Sequence, residues 1–196
     1  MAVLHPPADT AEIVATTQRR LARAVIGLNL RPFAKAVHVK KRIRYAVTAA
    51  QTADELLAEL EHELLLLAQT NPEDIDTTLL IHPQVMGEFL GFNFFIAEAE
   101  ALIRNLDLEG VIQIASLHPH YQFAGSGPDD IENYTNRSPY PTLHLLREDS
   151  IDRAVKAFPH AEAIFETNMR TMERLGPEGW AALDVGASPG RGKLPP

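Results

Sequence analysis

The stretch "DTTLLIHPQVMGEFLGFNFFIAEAEALIRNLDLEGVIQIASLHP", residues 76 to 119, decides the fold. It opens on a short β-branched and apolar run halted by Pro83. It continues through a long segment with apolar residues at helical spacing and closes on a second apolar run that again ends in His-Pro. The two runs have the length and composition of strands, and the middle has the period of a helix. Strand, helix, strand is the crossover unit that joins parallel strands. Upstream the same order recurs. "RIRYAVTA", residues 42 to 49, alternates with Ile43, Tyr45 and Val47 on one side. "TADELLAELEHELLLLAQ", residues 52 to 69, opens with Thr52 and Glu55 at capping-box spacing and offers Leu56, Leu57, Leu60, Leu64 and Leu67 as an apolar face. The expected class is therefore α/β (α+β), with a small, mostly parallel sheet of three to four strands flanked by helices.

The flanks complete the outline. Residues 10 to 28 form a helix with Ile13, Val14, Thr17, Leu21, Ala24, Val25 and Leu28 inward, capped by Asp9 or Thr10 and ending near Gly27. "NLRPFAKAVHVKK" reads as an irregular connection, because Pro32 biases Arg31 away from helical dihedrals. "PTLHLLR", residues 141 to 147, is a fourth strand returning antiparallel, followed by a helix capped by Ser150 and a last helix stopped by Gly176 and Pro177. Residues 1 to 180 read as one domain. Residues 181 to 196, rich in Gly and Pro, read as a disordered tail.

Charge is unevenly spread. Before residue 51, nine Lys/Arg face Asp9 and Glu12, a balance of +7, whereas the rest of the chain carries −15. Arg19, Arg20, Arg23, Arg31, Lys35, Lys40, Lys41, Arg42 and Arg44 are thus available to an anionic ligand, to nucleic acid or to the chain's own acidic half. Sparse aromatic interleaving and an acidic total argue against nucleic acid. There is no cysteine, which removes disulfides, thiolate ligands and a cysteine nucleophile. No signal-peptide layout and no apolar run approaching the ~20 residues of a membrane span is present, so a cytoplasmic protein is expected. Asn133 and Asn136 head formal glycosylation triplets, which carry no weight in such a compartment.

In open α/β sheets ligands bind beyond the carboxyl ends of the strands. His82 and His118 end two strands there, and the connection 119 to 141 leaves from the same edge to reach His144. A connection of this length without secondary structure is commonly functional. Three imidazoles from three strands suit a divalent transition metal (Zn, Fe, Cu or Ni), with His120 as a further ligand. Taken singly, each histidine also fits a strand-end cap. His5, His38, His62 and His160 lie elsewhere. The loop supplies Tyr121, Asn133, Asn136 and Arg137, and Arg147 follows in the fourth strand, a donor set suited to carboxylate or phosphate.

Two readings follow. In one, His82, His118 and His144 hold a metal, while Arg147, Asn133, Asn136 and Tyr121 bind a small anionic substrate beside Arg137. In the other, no metal is present, His118 or His144 is a general acid/base and the arginines clamp the anion. An interaction module using the basic N-terminal region ranks third. On either of the first two, residues 119 to 141 form a lid whose polar groups converge on the three histidines, and Arg137→Ala leaves the empty protein's melting temperature almost unchanged.

The segments "VIGLNLRPFA", "DTTLLIHP", "SLHPHYQFAGSGPDDIENYTNRSPYPTLHLLREDSIDRAV" and "NMRTMERLG" together resemble, in order, the bacterial family catalogued as domain of unknown function 1415. The resemblance implies a single domain and no particular reaction. It also implies a cysteine where this chain has Arg31. That position is then either peripheral or one at which Arg31 brings positive charge to the site.

Overall fold

The computed structural model describes residues 10–157 and 163–186. The elements run α1 (Thr10–Arg20, continuing as a π-helical turn, Leu21–Ile26), α2 (Ala34–Val39), β1 (Ile43–Val47), α3 (Ala53–Gln69), β2 (Thr77–Ile81), α4 (Phe89–Asn105) and β3 (Ile112–Leu117). A 3-10 turn (Ile131–Thr135), β4 (Thr142–Arg147), α5 (Glu148–Ala157) and α6 (Ile164–Ala182) complete the described chain. The architecture is α/β, but the sheet is mixed where a mostly parallel one was expected. Its order is β1-β2-β4-β3. Only β1 and β2 pair in parallel, and β4 is antiparallel to both its neighbours. The crossover through α4 steps over one strand position, leaving two facing edges of unpaired backbone groups that β4 satisfies when it returns from the loop.

The pleat divides the side chains between two layers. Leu80, Ile112, Leu143 and Leu145 pack against Leu56, Leu60, Leu64 and Leu67 of α3 and against Phe92, Phe95, Ala99 and Ile103 of α4. On the opposite face Leu79, Ile81 and Leu117 pack with Ile13 of α1. A third cluster, Ala24, Leu30, Tyr134, Met172, Trp180 and Val185, fastens α6 to the 3-10 turn and to the end of the first helix.

Local chemistry explains the element ends. Thr52 and Glu55 form the expected capping box on α3. Helix α4 starts at Phe89, five residues later than its apolar spacing suggests, because Met86 adopts a left-handed φ of 60° and turns the chain first. Residues 34–39 are helical despite Pro32, which restrains only the residue before it. Gly176 (φ 64°) does break the last helix, yet Pro177 opens a further turn, where its missing N–H costs nothing, and that turn brings Trp180 into the core. Of the tail expected from residue 181, residues 181–186 are instead ordered, with α6 running to Ala182, Asp184 paired with Arg23 and Val185 buried; the part beyond residue 186, His5 and His160 lie outside the described residues.

The basic N-terminal region is largely spent within the chain. Arg23 pairs with Asp184, Arg42 with Glu73 and Arg44 with Glu63, each drawn from the acidic part, while Arg19 pairs with Glu12. The Arg44–Glu63 pair is bidentate (2.7 and 2.9 Å) and places a buried carboxylate of α3 against β1. Lys35, Lys40 and Lys41 stay exposed around α2.

Arg147 lies apart from the loop it was expected to join as a substrate-binding residue. Because β4 runs antiparallel, its last residue lies at the edge opposite the loop, where Arg147 is buried and donates to the carbonyls of Leu67 (2.5 Å), Thr70 (2.6 Å) and Ile75 (3.2 Å). It caps the carboxyl end of α3, answering carbonyls that a helix leaves open. Arg147→Met, which keeps the aliphatic stem, is expected to lower unfolding free energy by about 2–3 kcal/mol through loss of charge-assisted bonds, as read from urea titration.

Candidate functional site

The histidines fall on two faces of the sheet. His82 and His118 follow β2 and β3 on the α4 face, both fully buried, and flank the Phe92 ring at centroid distances of 5.5 and 5.2 Å. His144 pairs across the sheet with Leu79 and Ala115, which places it on the α1 face. The sheet therefore stands between His144 and the other two, and the expected three-imidazole centre is not assembled. Among the described residues there is no group of three or more His, Cys, Asp or Glu able to hold a metal ion.

His82 and His118 are also engaged as strand-end caps. The turn before α4 presents its carbonyls to them: His82 Nδ1 lies 3.1 Å from Val85 O, and His118 Nε2 lies 3.0 Å from Met86 O. The amide of His120 donates to His118 Nδ1 at 3.0 Å, so both His118 nitrogens are occupied. Burial holds the His82 pKa down at about 4 and pushes that of His118 below its ordinary value. His120 is exposed beside His118, ring to ring at 5.8 Å.

Residues 119 to 141 are held by their own backbone, and Asn133 and Arg137 do the holding. The Asn133 side chain is fully buried; its Oδ1 accepts from Phe123 N (2.9 Å) and Ser126 Oγ (2.7 Å), and its Nδ2 donates to Gly127 O (2.7 Å). Arg137 lies over the Tyr134 ring, with its Cζ 4.2 Å from the centroid, and donates to Tyr121 O (3.2 Å) and Pro128 O (2.5 Å). The hydrogen bonds of both side chains run to groups of the loop itself, which makes them fasteners of the loop, while Arg137 Nη1 is buried with no partner among the described residues. Tyr121 packs on Phe89 at 5.3 Å.

A different constellation occupies the α1 face. Arg20, buried at the end of α1, donates to Arg137 O (2.5 Å) and Thr135 O (3.1 Å). The π-helical turn begins at the next residue, and the chain then bends through Asn29 (φ 56°) to present Arg31, whose Nη2 donates to Asn136 Oδ1 at 3.3 Å. His144 Nε2 lies 2.8 Å from Thr77 Oγ1. The three are electrostatically coupled: burial, then Arg31, brings the Arg20 pKa to about 9, and burial, then Arg31 and Arg20, brings that of His144 to about 3. Burial likewise lowers Arg31, opposed by Tyr121 nearby. Among the described residues no carboxylate forms an ion pair with Arg20 or Arg31. Arg31, Asn136, His144 and Tyr121 are each partly exposed, so the cluster reaches solvent. A cavity of about 10 Å³ beside Arg20, lined also by Tyr134, Arg137, Ser138 and Trp180, has room for no more than a water-sized group.

Sequence reasoning grouped His144, Asn136 and Tyr121 with His82 and His118, and named Arg20 and Arg31 within the basic N-terminal region as available to an anion; it did not join the two sets. The signal for Arg20 was present, since it falls three residues after Thr17 and four before Ala24 on the buried stripe of the first helix. A charged residue on an apolar stripe is the informative exception.

Residues 12–182 match the family described as "Protein of unknown function (DUF1415)". The chain belongs to that family. No curated protein and no solved structure matches it. In this DUF1415 chain Arg31, at the position where the resemblance implies a cysteine, donates to Asn136 Oδ1 and lowers the Arg20 and His144 pKa values.

Two outcomes follow from this geometry. Arg137→Ala is expected to destabilise the ligand-free protein by about 2–3 kcal/mol, since it removes the charge-assisted bonds of a buried guanidinium to the Tyr121 and Pro128 carbonyls and its stack on Tyr134; urea unfolding at neutral pH measures it. The lowered histidine pKa values carry a sign. Below about pH 6.5 the unfolded chain takes up protons that folded His82 and His144 refuse until about pH 4 and 3, so stability falls as pH drops through that window. His82→Leu is expected to flatten the dependence between pH 6 and 4.5 by up to about 1.4 kcal/mol per pH unit.

Proposed function

We propose that this protein binds a small oxyanion, a carboxylate or phosphate, on the α1 face between Arg20 and Arg31, without a metal, and that His144 is the group that exchanges a proton with it. One observation carries the reading: two neighbouring guanidiniums, each lowering the proton affinity of His144, have among the described residues only backbone carbonyls and the Asn136 amide as hydrogen-bond acceptors. Desolvated charge of one sign is costly unless a counter-charge answers it. An oxyanion supplies that charge and accepts in the planar, forked manner for which guanidinium is suited. Neutral His144 is available as a base, and its proton affinity rises once a bound anion offsets the field of the arginines. Enzymatic chemistry at this site is proton abstraction.

Support for a metal centre is thinner. His82 and His118 share a face, but His118 has both nitrogens engaged and His144 lies beyond the sheet. The test runs isothermal titration of inorganic phosphate and a panel of small carboxylates with EDTA present. Binding that survives EDTA and weakens about tenfold or more in Arg31→Met supports the proposal. Loss of binding on chelation, together with stoichiometric zinc, iron, copper or nickel in the purified protein, would return the site to the metal reading.

A further inference from the structure

The hydrogens around His144 narrow the ligand. Thr77 Oγ1 lies 2.6 Å from Leu145 O and 2.8 Å from His144 Nε2. The hydroxyl has one hydrogen, and a carbonyl can only accept, so that hydrogen belongs to Leu145 O. A hydroxyl turned instead toward Nε2 leaves two bare oxygens 2.6 Å apart in a buried place, which is repulsive. His144 Nε2 must therefore carry the ring proton and donate to Thr77 Oγ1. Neutral imidazole has one N–H, so Nδ1 is a bare lone pair, with no hydrogen bond to any described residue.

An acceptor set beside two cations makes an uncommon demand. An oxygen that bears full negative charge suits the guanidiniums and is repelled by Nδ1; an ammonium suits Nδ1 and is repelled by the guanidiniums. A hydroxyl attached close to the anionic oxygens meets both demands at once. Resting on the oxyanion reading above, we propose that the site selects oxyanions carrying their own O–H donor, namely a 2-hydroxycarboxylate or monohydrogen phosphate, with the hydroxyl donating to His144 Nδ1 while Arg20 and Arg31 hold the charged oxygens. The tautomer fixed by Thr77 is the specificity element.

Two matched pairs separate the sources of that chemistry. At pH 8 phosphate is mostly HPO₄²⁻ and sulfate is SO₄²⁻, alike in shape and charge and different by one O–H. Glycolate and acetate differ by the same group on a carboxylate. Titration of the full chain is expected to show phosphate tighter than sulfate, or glycolate tighter than acetate, by about tenfold or more, the scale of a polar group left facing a lone pair. The pair that discriminates names the class. Thr77→Val keeps the side-chain shape and frees His144 to move its proton to Nδ1, so it is expected to shrink the discrimination to within about twofold while binding persists. Nitrogen-15 NMR of the imidazole reads the tautomer without any ligand and is expected to show Nδ1 unprotonated in the wild-type protein. Equal affinity within both pairs, or a proton on Nδ1, overturns the inference and leaves oxyanion binding standing. No binding of any of the four anions removes both.

Discussion

The simultaneous pairing of β4 with β2 and β3 is the constraint on which the rest of the molecule depends. It closes the gap left by the α4 crossover, and it sets the parity of every side chain on the central strand. Leu143 and Leu145 complete the layer beneath α3 and α4, and the intervening His144 is thereby committed to the α1 face. The same direction of travel carries Arg147 to the far edge, where it closes the end of α3. Candidate chemistry and a helix cap are thus products of one register, and a slip of one residue would exchange both for their opposites.

The long loop contributes by being rigid. Asn133 at its centre and Arg137 near its end bond its own carbonyls and amides, while α6 packs on its 3-10 turn through Tyr134 and Trp180. That rigidity positions the Thr135 and Arg137 carbonyls against Arg20 and the Asn136 amide against Arg31. The arginines of the cluster are therefore held by a segment more than a hundred residues away in sequence, which makes the loop the frame of the candidate site.

Much of this was legible in the chain. The Thr52 and Glu55 box, the four strands and the two crossover helices follow from local periodicity and capping chemistry, which depend on neighbours a few residues away. The face that His144 occupies depends on register with two strands from distant sequence, and no local pattern encodes it. Likewise Arg137 and Asn133 present the donors and acceptors of a binding site, and only the path of the backbone shows that their hydrogen-bond partners are carbonyls, an amide and a hydroxyl of the same loop. Arg20 was within reach of pattern reading, as a charge on an apolar stripe.

The insertion of β4 also gives the chain a history during synthesis. By the time residue 117 has formed, β2 and β3 both exist in sequence, yet the strand that separates them lies 25 residues further on. A nascent domain at that stage has the apolar layers of α3 and α4 available for collapse and two inward-facing strand edges with unpaired backbone. Its completion waits for the loop to order and deliver β4 between them, a long-range step that adds hydrogen bonds on both sides at once. The segment that frames the candidate site is thus the one whose ordering ends the exposure of those edges, which ties the assembly of the site to the completion of the sheet.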